Sequence, residues 1–215
     1  HVFSWSSCSV LRRSRVDDAL RFAIEAHEGH RRKVSGIPFV IHLTDVMKFL
    51  VYDRADEDVV IAGILHDTIE DTEVSAGKLE ERFGARVREL VEFCTEPGNS
   101  TAASLDALKR SWEERKRSII SACEGAEHDE LLIELADKLS NLSSLRDDLT
   151  MDGEAVWNHF HADKGSQEWY FRTLATIFRR KLSHTRMWRL YEAALADVFG
   201  KEKEKDQASS CQSSA

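Results

Sequence analysis

Apolar residues recur every three or four positions along most of the chain, and this spacing predicts a series of amphipathic helices. The first predicted helix ends near Gly29, the second runs from 39 to about 53, and a third contains the apolar run 59–65. Further helices are predicted at 76–83, 85–95, 105–122 and 131–149, then after Gly153, and finally from about 167 to 199. No stretch alternates apolar and polar residues strongly enough for a sheet. The pattern therefore predicts an all-α fold in one domain.

The composition agrees with a single globular domain. The chain has 215 residues, of which 42% are hydrophobic and 32% charged, and two prolines interrupt it. This length supports one domain with a substantial core. We expect the domain to occupy residues 15–199, after a flexible N-terminal segment at 1–14. The charged and then Ser-rich stretch 200–215 is predicted to be a disordered tail.

Net charge and cysteine spacing exclude several classes of protein. The formal net charge is −8, so the surface does not attract nucleic acid or acidic lipid in bulk, and we expect neither as a partner. The four cysteines are scattered and form no CxxC pair, which argues against a zinc cluster and suits a reducing compartment. No apolar stretch is long enough to span a membrane, and the N-terminal residues lack the apolar core of a signal peptide. These features predict a cytoplasmic protein.

The heptapeptide HDTIEDT at 66–72 is the first candidate for chemistry. If the apolar helix before it continues, His66, Asp67, Glu70 and Asp71 share one helix face with no Lys or Arg among them. Like charges at i,i+4 destabilise a helix by a few tenths of a kcal/mol. A bound divalent cation would turn this repulsion into ligation. The alternative is a solvated acidic helix end.

Two further residues on other predicted helices have the chemistry of metal ligands. His42 lies in the first turn of the second helix, and Asp137 lies between apolar neighbours on the helix 131–149. A carboxylate near a core is costly unless it is paired or bound to a metal. Each residue also has a simpler interpretation, since a lone histidine is usually a hydrogen-bonded core residue and a lone aspartate a surface charge.

The order H…HD…D resembles the HD superfamily of metal-dependent phosphohydrolases. The segments HRRKVSGIPFVIH, ILHDTIEDT, LEERFGARVRELVE and ELADKLSNL are similar to the hydrolase domain of RelA/SpoT homologues. They are still more similar to the stand-alone small alarmone hydrolases. The resemblance runs from about 19 to 149 and is weaker through WNHFHADKGSQEWYFRTL near the C-terminus. It implies a compact helical bundle of the HD type.

The resemblance assigns roles to the candidate residues. It implies that one divalent ion, Mn²⁺ by this resemblance, is bound by His42, His66, Asp67 and Asp137. Spacing alone leaves Zn²⁺, Fe²⁺ and Co²⁺ open, because the donor set mixes imidazoles with carboxylates. Glu70 and Asp71 match the acidic pair that orients and deprotonates the attacking water in this family.

The resemblance also names residues that would bind the substrate. Arg32 matches the arginine that stacks on the base, and Lys33 the lysine that faces phosphate. Asn141 matches an asparagine that contacts the nucleoside. Lys164, Tyr170 and Arg172 are further candidates for the phosphates. The alternative for Arg32 and Lys33 is a solvated basic loop, and for the last three a helix surface.

The implied activity is hydrolysis of the 3′-pyrophosphate of ppGpp or pppGpp to GDP or GTP, in a chain with no room for a synthetase domain. Ser140 and Ser143 stand where relatives often carry an aromatic or imidazole group and an arginine. An HD phosphatase or nucleotidase for another nucleotide, such as NADPH, is therefore the first alternative. A helical module that binds a nucleotide without catalysis is the second.

Overall fold

The computed structural model describes residues 13–95 and 105–201. Most of the predicted flexible segment 1–14 and of the predicted tail 200–215 lies outside these ranges, as do residues 96–104 between two of the predicted helices. Residues 13 and 14, which were expected to be flexible, already belong to the first helix.

The described residues form ten α-helices and one 3₁₀ helix, so the predicted all-α fold is confirmed. The α-helices are α1 (Arg13–Ala26), α2 (Val40–Tyr52), α3 (Glu57–Leu65), α4 (Thr68–Asp71), α5 (Ala76–Phe83), α6 (Ala85–Cys94), α7 (Leu105–Gly125), α8 (His128–Asp152), α9 (Lys164–Leu182) and α10 (Arg186–Phe199). The helix expected after Gly153 is a 3₁₀ helix, Gly153–His159. Strand-like pairing within the described ranges is limited to a single bridge between Arg31 and Pro38. No helix in those ranges combines the length and the apolar character that a bilayer crossing requires.

Helix α8 forms the centre of the bundle. It contacts α2, α3, α6, α9 and α10, and eleven of its 25 residues are buried. At its start, the side chain of Glu127 accepts from the backbone of Glu130, whose own side chain accepts from the backbone amide of Glu127. This reciprocal capping satisfies amides that the first turn of a helix leaves without partners. A long buried helix in the middle of the fold can therefore present polar side chains to several neighbouring helices.

The packing of α2 against α3 depends on Gly63. A β-carbon at this position would lie 2.3 Å from Cδ1 of Leu50 and 3.2 Å from Cγ1 of Val46. Those side chains are completely buried, so the missing side chain allows the two helices to approach closely. This approach brings His42 of α2 next to His66, which directly follows α3.

The expectation of one continuous helix through HDTIEDT is wrong, because α3 ends at Leu65 and α4 begins at Thr68. Side chains take carbonyl oxygens that backbone amides would bind in an unbroken helix. His66 donates from Nδ1 to the carbonyl of Gly63 at 2.8 Å, and the Thr68 hydroxyl donates to the carbonyl of Leu65 at 2.6 Å. The break leaves His66 and Asp67 in the turn between the two helices.

The single helix predicted from about 167 to 199 is also two helices, α9 and α10, separated at residues 183–185. The Thr185 hydroxyl accepts from the backbone amide of Trp188. In addition, the carboxylate of Asp53, at the end of α2, accepts from the amides of Arg186 and Met187, each at 2.7 Å. These acceptors cap the start of α10. Periodicity alone misses this break because the cap comes partly from a distant helix.

Candidate metal centre

All four predicted ligands converge at one point in the bundle. His42 comes from α2, His66 and Asp67 from the turn between α3 and α4, and Asp137 from α8. Nε2 of His66 lies 3.2 Å from Nε2 of His42, 3.0 Å from Oδ2 of Asp67 and 3.7 Å from Oδ1 of Asp137. Nε2 of His42 lies 3.5 Å from Oδ2 of Asp67 and 3.3 Å from Oδ1 of Asp137.

These separations fit a shared divalent cation. Donor atoms bound at about 2.1 Å lie about 3.0 Å apart at right angles and about 3.4 Å apart in a tetrahedron. One donor atom each from His42, His66 and Asp67 lies within 4.8 Å of the others, and Asp137 reaches the same two imidazoles from α8. The mixed nitrogen and oxygen set suits a borderline or hard divalent ion. The four side chains can therefore hold one divalent metal ion.

Hydrogen bonds orient both imidazoles. Nδ1 of His66 faces the Gly63 carbonyl, which can only accept, so Nδ1 carries a proton and Nε2 is the nitrogen that can bind a metal. Nδ1 of His42 lies 2.9 Å from the hydroxyl of Ser140 on α8. Such contacts set the tautomer and the direction of metal-binding histidines. Both Nε2 atoms are directed at the centre.

Both carboxylate oxygens of Asp137 are held by neighbouring polar groups on α8. Lys138 Nζ lies 2.5 Å from Oδ2 of Asp137 and 3.3 Å from Oε2 of Glu134, one turn earlier on α8. Asn141 donates from Nδ2 to Oδ1 of Asp137 at 2.7 Å. Burial acts to raise the pKa of Asp137, but Lys138 and His66 outweigh it and hold that pKa well below its usual range. Asp137 is thus an ionised carboxylate with a defined orientation.

The pKa values of the other three members of the cluster are shifted by burial and by the charges of their neighbours. Burial lowers the pKa of His42 below its ordinary value, in spite of Asp67 and Asp137. Burial acts in the same direction on His66, but the two carboxylates reverse it and raise its pKa well above the ordinary value. Burial opposes ionisation of Asp67, yet the two imidazoles lower its pKa. The cluster therefore concentrates negative charge where a cation would sit.

A cavity of about 190 Å³ adjoins the cluster, and the acidic pair lies beside it. Glu70 and Asp71 both line this cavity together with the four candidate ligands. Glu70 is half-buried and Asp71 is exposed. In this position a carboxylate can orient or deprotonate a water molecule at the metal. The hydroxyls of Thr68 and Thr72 instead donate to backbone carbonyls, which gives both threonines a structural role.

A larger cavity of about 390 Å³ continues from the first. Arg32, Phe39, Lys116, Lys138 and Asn141 line both cavities. The larger one also contains Arg31, Lys33 and the buried Tyr170, whose hydroxyl has no hydrogen-bond partner within the described residues. Five cationic side chains therefore surround a space beside the metal centre, as the binding of a phosphorylated compound requires.

Arg32 is linked to the metal centre by a chain of hydrogen bonds. Its Nη2 donates to Oδ1 of Asn141 at 2.9 Å, and Asn141 in turn donates to Asp137. The basic loop before α2 is thereby joined to α8. Burial lowers the pKa of the neighbouring Lys33, whose ammonium lies 5.5 Å from the centre of the Phe160 ring.

Two of the residues predicted to bind the substrate lie outside both cavities. Lys164 at the start of α9 pairs with Glu154 at 2.7 Å and lines neither cavity. Arg172 pairs with Glu168 and donates to the carbonyl of Gly200, also outside both cavities. The other four (Arg32, Lys33, Asn141 and Tyr170) line the larger cavity.

Several residues that contribute to the site were not among those predicted from the sequence to bind metal or substrate. Glu134 and Ser140 lie three residues before and three residues after Asp137 on α8, which places them on the same side of the helix, and Lys138 directly follows Asp137. Lys116 reaches the cavities from α7. Helical spacing around Asp137 could have indicated the first three, whereas Lys116 depends on the packing of α7 against the bundle.

Comparison with known proteins identifies the family. Residues 19–166 match the HD domain family. The chain is 37% identical over 139 residues to "Putative GTP diphosphokinase RSH1, chloroplastic" of Arabidopsis thaliana, a match that covers 60% of this chain and spans only 15% of that relative's length. It is 36% identical over 131 residues to the guanosine-3′,5′-bis(diphosphate) 3′-pyrophosphohydrolase MESH1 of Mus musculus, covering 60% of this chain and 68% of that protein.

A solved structure shares the fold. It is described as "A metazoan ortholog of SpoT hydrolyzes ppGpp and plays a role in starvation responses" and superposes with a TM-score of 0.67 at 24% identity, covering 87% of this chain and 97% of the other. At that identity the likeness shows the fold alone. The family match covers more than half of the chain, and the four side chains of the H…HD…D pattern meet at one point. The chain therefore belongs to the HD domain family.

Proposed function

We propose that this protein is a metal-dependent pyrophosphohydrolase that removes the 3′-pyrophosphate of ppGpp or pppGpp and releases GDP or GTP. The proposed ligands of a single ion, Mn²⁺, are His42, His66, Asp67 and Asp137. The relative MESH1, which carries this activity in its name, is matched over 68% of its length.

The observation that carries the proposal is the continuity between the four-ligand cluster and the cationic cavity. The smaller cavity contains the cluster and the acidic pair, and the larger one has the size and charge for a phosphorylated nucleoside. A 3′-pyrophosphate in the smaller cavity would place its bond to the ribose near Asn141 and Lys138, which line both cavities.

In the proposed reaction a water molecule attacks the phosphorus bonded to the 3′ oxygen and forms a new phosphorus–oxygen bond. The bond between this phosphorus and the 3′ oxygen breaks, so that pyrophosphate is released and the 3′ oxygen leaves as the hydroxyl of GDP or GTP. A divalent ion bound by the four ligands would lower the pKa of that water and polarise a phosphoryl oxygen. Glu70 and Asp71 orient the water and accept its proton. Lys138 holds Asp137 in place, while Arg32 and Lys33 offset the charge of the substrate.

Binding of the substrate is assigned to the walls of the larger cavity. Arg32, held by Asn141, presents a planar guanidinium that can stack on a base. Lys33 and the Tyr170 hydroxyl face the same space and can bind phosphate oxygens. Lys164 and Arg172 are left out of this proposal, because each is paired outside the cavities.

The test is release of pyrophosphate by purified Mn²⁺-loaded protein from a panel containing ppGpp, pppGpp and NADPH. We expect equal amounts of GDP and pyrophosphate from ppGpp, and loss of the activity on chelation with recovery when Mn²⁺ is added back. Absence of pyrophosphate release from both guanosine substrates by metal-loaded protein would contradict the proposal. Phosphate release from NADPH in its place would favour a nucleotide phosphatase.

A further inference from the structure

Asp148 is the only acidic side chain among the described residues that line the larger cavity, which is otherwise basic or uncharged. It is half-buried, and within the described part of the chain its carboxylate makes no hydrogen bond or ion pair. Burial raises the pKa of Asp148, while the nearby Arg32 acts in the opposite direction. An unpaired carboxylate opposes the binding of phosphates. Its presence in a cationic cavity therefore indicates that it contacts a part of the ligand other than the phosphates.

Helix α8 places Asp148 at the end of the cavity away from the metal centre. Asp137, Asn141, Ser144 and Asp148 follow one another at intervals of four, three and four residues, so they share one face of the helix. Asp137 lines the smaller cavity, Asn141 lines both, and Ser144 and Asp148 line only the larger one. Asp148 follows Asp137 by eleven positions in the α-helix, which corresponds to about 16 Å along the axis.

This arrangement orders the parts of a bound nucleotide along α8. A pyrophosphate at the metal centre puts the ribose beside Asn141 and directs the base towards Ser144 and Asp148. Arg32, which donates to Asn141, lies beside the same stretch of α8. The carboxylate of Asp148 is therefore next to the base and far from the hydrolysed phosphates.

The chemistry of the base decides what a carboxylate can recognise there. An ionised carboxylate only accepts hydrogen bonds, through two oxygens side by side. Guanine presents two adjacent donors on its Watson–Crick edge, the N1–H and the 2-amino group. Adenine presents an acceptor at N1 beside its 6-amino donor. Only guanine can satisfy both oxygens of Asp148.

We propose that Asp148 is a specificity-determining residue that accepts hydrogen bonds from N1–H and the 2-amino group of guanine and so selects guanine over adenine nucleotides. This inference rests on the proposed function, because it assumes that the cavity binds a nucleotide with its phosphates at the metal centre. It adds a base-reading residue to that site.

The test compares kcat/KM for ppGpp with that for the adenosine analogue ppApp, using Mn²⁺-loaded wild-type protein and the Asp148→Asn variant. Hydrogen bonds to a charged group justify a loss of about 10–100-fold in the guanine-to-adenine ratio. The ratio is the informative quantity. Removing a negative charge from the cavity changes the binding of both nucleotides equally, because they carry the same phosphates.

Asp147→Asn is the matched control. Asp147 is the exposed neighbour on α8, pairs with Arg146, and lines neither cavity. We expect its guanine-to-adenine ratio to equal that of the wild type. If Asp148→Asn alters both nucleotides by the same factor, Asp148 only positions Arg32 or adjusts the charge, and the inference is wrong.

Binding of GDP and ADP to the Mn²⁺-loaded protein, measured by calorimetry, separates this inference from the proposed function. If neither ppGpp nor ppApp releases pyrophosphate, the proposed function fails, and base recognition is then judged by binding alone. Tighter binding of GDP that Asp148→Asn abolishes supports the inference. Equal affinity of the wild-type protein for GDP and ADP overturns it.

Discussion

Nε2 of His42 and Nε2 of His66 face each other at 3.2 Å inside the bundle, with both rings buried. Two nitrogen lone pairs at this distance repel each other unless a proton or a cation lies between them. Asp67 and Asp137 approach the same nitrogens with ionised oxygens. The pairing of these imidazoles is thus the part of the structure that most strongly favours a metal ion.

Ser140 is expected to support metal binding through His42. Replacing it by alanine removes the hydroxyl 2.9 Å from Nδ1 of His42 and leaves the imidazole without its orienting partner. Loss of such a partner typically weakens metal binding by about 10–100-fold. Calorimetric titration with Mn²⁺ measures the change.

Ser143→Ala provides the control for this experiment. The Ser143 hydroxyl donates to the carbonyl of Leu139 and not to a candidate ligand, so Mn²⁺ affinity should stay at the wild-type value. Equal affinities for the Ser140 and Ser143 variants would show that His42 needs no support from α8.

The acidic pair is expected to act on turnover and not on metal content. The double variant Glu70→Gln, Asp71→Asn keeps the size of both side chains but removes the groups assigned to the water molecule. Loss of a general base typically lowers kcat by about 10²–10⁴-fold. Pyrophosphate release and bound Mn²⁺ should be measured on the same preparation, with the exposed Glu73→Gln as control. Unchanged kcat in the double variant would remove the role given to this pair.

Asn141 is expected to matter more than Lys164, although both were predicted to contact the substrate. Asn141→Ala breaks the hydrogen bonds to Arg32 and Asp137. Because hydrogen bonds to charged groups are each worth about 1.5–3 kcal/mol, kcat/KM should fall at least tenfold. Lys164→Met should stay within twofold, since the Lys164 ammonium pairs with Glu154 outside the cavities. A tenfold loss of kcat/KM for Lys164→Met would show that Lys164 does contact the substrate.

Asp53 is expected to stabilise the fold by capping α10 from a distant helix. Asp53→Ala removes the acceptors for the amides of Arg186 and Met187, which should lower the free energy of unfolding by about 0.5–2 kcal/mol. Urea denaturation measures this change. Asp56 precedes α3 without a capping side-chain bond, so Asp56→Ala should change stability by less than about 0.5 kcal/mol. Similar losses for both variants would argue against a cap at Asp53.

Helical periodicity predicted most of the helices, because the side chains that repeat every three or four residues are the ones that face the core. The bounds of α5 and α6 agree with the prediction to within a residue. The predictions failed where a side chain takes over a backbone partner. His66 and Thr68 interrupt the helix within HDTIEDT, and Asp53 and Thr185 start α10 anew. Such hydrogen bonds come from polar side chains and do not change the spacing of the apolar residues, so periodicity does not reveal them.

The sequence alone determined the helical class, the family resemblance and the identity of four side chains able to bind a cation, since these follow from residue type and order. The tertiary structure decided which of them meet. Gly63 lets α2 and α3 approach, α8 brings Asp137 next to both imidazoles, and Lys164 pairs with Glu154 outside the cavities. A metal centre requires donor atoms within a few ångströms of one another, and only the packing of helices distant in sequence sets those distances.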